Sequence, residues 1–234
     1  MMKAMILSAG YGKRLHPLTK NCPKPLLKIG NETLLSNTLK FLTEFGVKQV
    51  VINVHYLAEQ IIDYIKKNKF NLAINIVKEE EKILDTGGGI LNAIQHFSDQ
   101  PFLVINPDTI WSLKYLDDLK LMKSNFLSKN QKCSMLVVNK EKSFDKNLKG
   151  DFNLESYLIN RKNKHNLKYI FTGLQIINPR VFSNIDSKIF SINKIWDKLI
   201  EKKELYGRES STDFLHISTL DIYKNLLDGN LCVK

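Results

Sequence analysis

Over its first 110 residues the chain alternates short apolar runs with amphipathic stretches at helical spacing, and this restricts the fold more than any other feature. Lys3 to Ser8, Gln49 to Val54, Leu72 to Val77 and Pro101 to Asn106 read as strands. Their apolar residues are largely continuous rather than alternating, the pattern of strands buried on both faces. Thr33 to Phe45 places Leu34, Leu35, Thr38, Leu39, Leu42 and Phe45 on one helical face, and Gly46 follows as a stop. Ala58 to Lys67 turns Ile61, Ile62 and Ile65 inward, and Gly88 to Phe97 suits a third helix. Short links in this order build βαβ units, so the expected class is α/β, a parallel sheet covered by helices on both faces. Ligands in such sheets sit beyond the carboxyl ends of the strands. Ser8-Ala9-Gly10 and Asn106-Pro107-Asp108 fall at two such ends.

Beyond Trp111 the pattern loosens. Tyr115 to Phe126 reads as a helix, while Ser134 to Val138, Phe152 to Ile159 and Tyr169 to Ile177 read as strands of a small mixed extension. Ser191 to Lys203 carries Ile192, Ile195, Trp196, Leu199 and Ile200 at helical spacing, a core stripe rather than a site. Leu215 to Leu227 closes the pattern with a short strand end and a helix. Without a repeat, a low-complexity segment or a Pro/Gly linker, residues 1–234 are expected to form one domain of two halves, 1–110 and 111–234. A domain of this size buries roughly 70 % of its unfolded surface and needs no disulfide or metal staple.

The net charge of +11 invites a nucleic-acid reading, but only four of the 35 cations are Arg and the lysines are scattered. Base and phosphate readers favour the rigid bidentate fork of Arg. The 22 Asn beside so many Lys match the codon bias of an AT-rich genome. No nucleic-acid partner is therefore expected, and the basic cluster Arg161-Lys162-Asn163-Lys164-His165 reads as a solvated loop. Cys22, Cys133 and Cys232 show no metal-ligand spacing and fit a reducing compartment. With no apolar run of ~18 residues and no cleavage-site pattern after the N-terminal apolar run, the expectation is a cytoplasmic protein without a membrane partner.

The richest segment runs from Leu7 to Leu26, Leu-Ser-Ala-Gly-Tyr-Gly-Lys-Arg-Leu-His-Pro-Leu-Thr-Lys-Asn-Cys-Pro-Lys-Pro-Leu. Gly10 and Gly12 let the backbone approach a ligand closely, and successive loop amides can form an anion-binding nest. Arg14 adds a permanently charged fork suited to phosphate oxygens. Lys24 lies between Pro23 and Pro25, which fix the local backbone and help to aim one ammonium group. A dinucleotide fingerprint wants a third Gly where Leu15 stands, and a P-loop wants Gly where Leu7 stands, so both are excluded.

Ala9-Gly10-Tyr11-Gly12-Lys13-Arg14-Leu15-His16-Pro17-Leu18-Thr19 with Pro23-Lys24-Pro25 resembles the signature of the sugar-1-phosphate nucleotidyltransferases. Asp85-Thr86-Gly87-Gly88-Gly89-Ile90 is similar to the Glu-Thr-Gly-Gly-Gly-Ile segment of the N-acetylmuramate-1-phosphate uridylyltransferase group. The resemblance implies a Rossmann-like three-layer fold of the nucleotide-diphospho-sugar transferase type. It also implies that 1–110 is the nucleotide-binding half and 111–234 the sugar-phosphate-binding half. Ala9, Gly10, Gly12, Lys13, Arg14, Lys24, Thr86, Gly87 and Gly88 become candidate nucleotide-binding residues, with Thr86 also able to cap the following helix. Arg14, Lys24 and Asp108 become the candidate catalytic residues.

Val104-Ile-Asn-Pro-Asp108 stands where the family carries a metal-binding Asp at a strand end, and Mg²⁺ prefers one or two carboxylates plus phosphates and water. Asn106, Asp151 of Gly150-Asp-Phe-Asn-Leu154 and Gly173 of Phe171-Thr-Gly-Leu-Gln-Ile176 are candidate sugar-binding residues; Asp151 and Gly173 read equally as a turn and a strand kink. The family's Trp-x-Asp-Val-Gly-Thr is replaced by Phe214-Leu-His-Ile-Ser-Thr219, so His216 occupies the second metal-ligand position and Ser218 the Gly. Imidazole suits Mg²⁺ less than carboxylate does. Either the cation rests on Asp108, water and phosphates, or His216 binds phosphate or favours Mn²⁺. The implied partners are a nucleoside triphosphate, UTP by the group resemblance, and a sugar 1-phosphate, N-acetylmuramate 1-phosphate, in a monomer or small homo-oligomer. Mannose-1-phosphate guanylyl transfer, glucose-1-phosphate thymidylyl or uridylyl transfer, cytidylyl transfer to a phospho-alcohol and a non-catalytic nucleotide-sugar-binding role are the alternatives.

Overall fold

The computed structural model describes residues 2–228. β1 (Ala4–Ser8) opens the chain. The loop after it winds through three short 3-10 turns at Lys13–Leu15, Leu18–Lys20 and Lys24–Leu26. A hairpin of β2 (Lys28–Ile29) and β3 (Glu32–Thr33) then leads into α1 (Leu34–Glu44). Thr33 caps that helix by accepting the Ser36 N–H at 3.0 Å, and Gly46 leaves it with φ +89°. β4 (Gln49–Val54), α2 (Ala58–Lys67), β5 (Ala73–Lys78), α3 (Asp85–Ala93) and β6 (Phe102–Ile105) complete the first half.

The second half contains α4 (Tyr115–Ser128), β7 (Cys133–Asn139), β8 (Asn153–Glu155), β9 (Leu158–Asn160) and β10 (Tyr169–Ile177). α5 (Asn193–Glu201), β11 (Leu205–Ser210) and α6 (Leu220–Asp228) follow. Nine strands form one sheet in the order β5-β4-β1-β6-β10-β7-β11-β9-β8. β5, β4, β1 and β6 run parallel. β10 enters antiparallel to both β6 and β7, and β11 lies parallel to β7, so the mixed half continues the same sheet.

Alternate residues of each central strand feed two cores, as a pleat of period 2 demands. Ala4, Ile6, Leu103 and Ile105 join Leu35, Leu39, Ile61, Leu119 and Phe126 of α1, α2 and α4 on one face. Met5, Val51, Phe102 and Val104 join Ile90, Ala93, Ile195, Trp196 and Leu199 of α3 and α5 on the other. Among the described residues no helix is long and apolar enough to cross a membrane.

Two sequence expectations are corrected, and one strand is added. Phe152 to Ile159 is not one strand: Ser156 and Tyr157 both take positive φ (47° and 70°), making a two-residue hairpin turn between β8 and β9. The third helix begins at Asp85 rather than Gly88. β11, which carries the polar stretch Arg208–Ser210, was not anticipated at all. Cys22 and Cys133 are free thiols, and Cys232 lies outside the described residues.

Leu39→Ala empties a fully buried position of α1 and is expected to cost about 2–5 kcal/mol in urea unfolding. Leu127→Ala on α4, where the residue is 55 % exposed, is expected to change stability by less than about 0.5 kcal/mol.

Candidate functional site

The loop after β1, the residues after β6 and the start of α3 enclose a cleft of about 410 Å³ at the carboxyl edge of the parallel strands. Ala9, Gly10, Gly12, Lys13, Arg14 and Lys24 line it from the loop side. Asn106, Pro107 and Asp108 line it from β6, and Ile83, Asp85 and Thr86 from the segment leading into α3.

Local rules explain how the loop holds its shape. Gly12 adopts φ +64°, and a side chain there would begin 3.1 Å from Thr19 Cγ2 and 3.3 Å from Lys24 Cβ. The Thr19 hydroxyl donates to the Gly12 carbonyl at 2.8 Å. Tyr56, just ahead of α2, donates its hydroxyl to the Thr19 and Lys20 carbonyls, both at 2.9 Å. Pro23 caps the last 3-10 turn and Pro25 lies inside it, so the two prolines flank Lys24, which lines the cleft.

Lys24 Nζ donates to Asp108 Oδ2 at 2.5 Å, joining two residues 84 positions apart. Burial alone raises a carboxyl's pKa. Here the Lys24 ammonium, with His216 nearby and the Lys24 hydrogen bond, overcomes that and holds Asp108 at about 2. The other carboxylate oxygen, Oδ1, is buried and accepts no hydrogen bond.

His216 reaches this oxygen because its segment is laid beside the one that follows β6. The Ile110 N–H donates to the Leu215 carbonyl and the Ile217 N–H to the Asp108 carbonyl, each at 2.8 Å. His216 Nδ1 lies 3.6 Å from Asp108 Oδ1, with the ring stacked on Phe214 at 5.5 Å. Burial holds the imidazole below the usual histidine range; Asp108 opposes this, while Lys24 and Arg14 reinforce it. His216 is thus a neutral ring near pH 7. Ser218 turns its hydroxyl to the buried Asp145 carboxylate at 2.7 Å instead of serving the cleft.

The remaining sequence candidates separate. Asn106 lines the cleft and donates its N–H to the Gly173 carbonyl at 2.8 Å. Gly173 has φ +92° beside an irregularity in β10, and a Cβ there would lie 2.9 Å from Asn106 Cβ. Asp151 accepts the Phe171 N–H at 2.9 Å and does not line the cleft. Gly87 and Gly88 are buried against Phe190 and the Lys188 carbonyl, the nearest atoms that a Cβ would meet at 2.4 and 2.2 Å. Their lack of side chains serves helix packing. Thr86 does not cap α3, because it lies inside the first turn and its hydroxyl accepts the Ile192 N–H at 2.9 Å. Asn53, which the sequence reading passed over, also lines the cleft; a polar residue near the end of a buried strand was the signal, as it was for Asp108.

Among the described residues no group of three or more His, Cys, Asp or Glu is placed to hold a metal ion. Asp108 Oδ1 and His216 Nδ1 lie 3.6 Å apart beside Lys24.

Residues 3–146 match the family model described as nucleotidyl transferase. Mannose-1-phosphate guanylyltransferase catalytic subunit beta of Drosophila pseudoobscura pseudoobscura is 28 % identical over 211 residues, 88 % of this chain and 56 % of that protein. The chain therefore spans little more than half the length of that relative. N-acetylmuramate alpha-1-phosphate uridylyltransferase of Caulobacter vibrioides is 26 % identical over 219 residues, 92 % of this chain and 90 % of that protein. Among solved structures, HddC from Yersinia pseudotuberculosis complexed with GMP-PN shares the fold with a TM-score of 0.77, at 22 % identity, over 98 % of this chain and 99 % of that one. With the glycine loop, Lys24 and Asp108 inside the matched span, the chain belongs to the nucleotidyl transferase family.

Proposed function

We propose that the chain joins a nucleoside triphosphate to a sugar 1-phosphate and releases pyrophosphate. The observation that carries this is the Lys24–Asp108 pair, which sets a cation and a carboxylate with one free oxygen in a cleft rimmed by the glycine loop and Arg14. A phosphate oxygen of the sugar 1-phosphate attacks the α-phosphorus, the bond from that phosphorus to the oxygen bridging to the β-phosphate breaks, and pyrophosphate leaves. The nucleophile is already an anion, so no strong general base is needed, and catalysis consists of positioning and charge neutralisation. Loop amides from Gly10 to Arg14 and the Arg14 guanidinium hold the β- and γ-phosphates. Lys24 bridges the α-phosphate and the incoming phosphate.

Mg²⁺ fits this site as the companion of the triphosphate. The unpartnered Asp108 Oδ1 is a hard oxygen donor, and His216 stands as a second, weaker neighbour that suits Mn²⁺ better. The cation supplies neutralisation of phosphate charge when bound.

Within this chemistry UTP and N-acetylmuramate 1-phosphate are the favoured pair. The Asp85–Ile90 segment and the match along 90 % of the Caulobacter uridylyltransferase support that choice. GTP with mannose 1-phosphate is the second reading, favoured by the guanylyltransferases among the similar proteins, such as the Drosophila and Oryza sativa relatives at 28 % and 31 % identity.

The direct test is pyrophosphate release across a matrix of nucleoside triphosphates and sugar 1-phosphates, with Mg²⁺ and with Mn²⁺. One pairing is expected to exceed the rest by roughly tenfold or more in kcat/KM, and no release from any pairing would sink the reading. Lys24→Ala is expected to lower kcat/KM by about 10²–10³; activity within a few-fold of wild type would remove Lys24 from its assigned role.

A further inference from the structure

Asn53 and Glu79 have no part in the transfer described above, yet both are polar side chains only 3 % exposed at the edge of the cleft. Asn53 lies near the end of β4, and Glu79 directly follows β5. Their hydrogen bonds form one continuous relay. The Ser8 N–H donates to Asn53 Oδ1 at 3.0 Å, Asn53 Nδ2 donates to Glu79 Oε1 at 2.7 Å, and the Leu84 N–H donates to Glu79 Oε2 at 2.7 Å. Ser8 is where the phosphate loop leaves β1, and Leu84 immediately precedes Asp85 and Thr86 in the opposite wall of the cleft.

The relay leaves little freedom in chemistry. Both ends are backbone N–H groups, so each outer side-chain atom must be an acceptor. Between the two side chains one donor must then meet one acceptor, which a single amide facing a single carboxylate provides. Two amides set NH₂ against NH₂, and two carboxylates set oxygen against oxygen. Gly89 completes the arrangement, because a Cβ there would lie 2.8 Å from both Asn53 Nδ2 and Glu79 Oε1. An apolar pair could fill the same volume without the cost of burying a carboxylate. We infer that Asn53 and Glu79 are positioning residues that hold the Asp85–Thr86 wall at a set distance from the phosphate loop, and so fix the affinity for the nucleotide rather than for the acceptor. This rests on the proposed nucleotidyl transfer.

The test is an amide–carboxylate exchange in the full chain. Asn53→Asp and Glu79→Gln each break the middle junction. The double exchange restores every bond: the carboxylate at position 53 accepts from Ser8 and from the amide at position 79, whose oxygen accepts from Leu84. Each single variant is expected to raise the KM and the calorimetric Kd for the nucleoside triphosphate about tenfold or more, the effect of one charge-assisted hydrogen bond. The KM for the sugar phosphate is expected to stay within about threefold, and the double exchange to recover wild-type nucleotide affinity to within about threefold. Gly89→Ala, which leaves both side chains in place but crowds them, is expected to weaken nucleotide binding in the same way. If a single variant fails to fold, a folded and nucleotide-competent double exchange still supports the relay. Singles with wild-type nucleotide affinity, a double exchange no better than the worse single, or equal loss for both substrates overturns the inference while the transfer reading stands. A wild-type chain that neither releases pyrophosphate nor binds a nucleotide overturns both.

Discussion

A parallel sheet sends the carboxyl ends of its strands to one edge, and the polar groups that emerge there must be satisfied or used. In this chain that edge collects Ser8, Asn53 and Asp108 from the ends of β1, β4 and β6. Asn53 is consumed by internal hydrogen bonds through its amide, and Ser8 joins them through its N–H, its hydroxyl having no partner. Asp108 is committed on one oxygen only. The chemistry of the cleft follows from that asymmetry: Asp108 Oδ2 holds Lys24 while its Oδ1 is left unpartnered.

The ion pair between Lys24 and Asp108 also fixes the closure of the cleft. One partner comes from a loop, the other from a strand end, and neither is in reach of the other until the sheet and the loop have both formed. Such a pair is a weak source of stability, because desolvating two charges offsets most of their attraction. Its value lies in registering the loop on the sheet; in the proposed transfer it also sets a cation where phosphate charge is received.

The parallel half of the fold was legible in the sequence because its strands are continuous apolar runs and its helices show clear periodicity, as in α1 with its Thr33 cap. β11 was not, since Leu205-Tyr-Gly-Arg-Glu-Ser210 gains its strand character from pairing with β7 rather than from its own composition. The β8–β9 turn was also hidden, because Ser156 and Tyr157 take positive φ without the Gly or Asn that usually announces it. In the site, the glycine loop after β1 and the Asp at the end of β6 stood out as motifs. The Gly87–Gly89 run was legible as unusual, but its cause was not: Gly87 and Gly88 answer to Phe190 and Lys188, about a hundred residues on, and Gly89 to Asn53 and Glu79. Residues whose role is set by long-range donors and acceptors leave no local pattern.

The clip from Tyr56 to the carbonyls of Thr19 and Lys20 has a thermodynamic meaning. In the proposed function, a flexible glycine loop that wrapped a triphosphate only on contact would lose backbone entropy of about 1–2 kcal/mol per residue at that moment. By fastening the far side of the loop to the entrance of α2, and its near side through Thr19 to Gly12, the chain meets that cost during folding. The proposed triphosphate then meets a preformed receptor, and the contacts made with it are retained as affinity rather than spent on ordering.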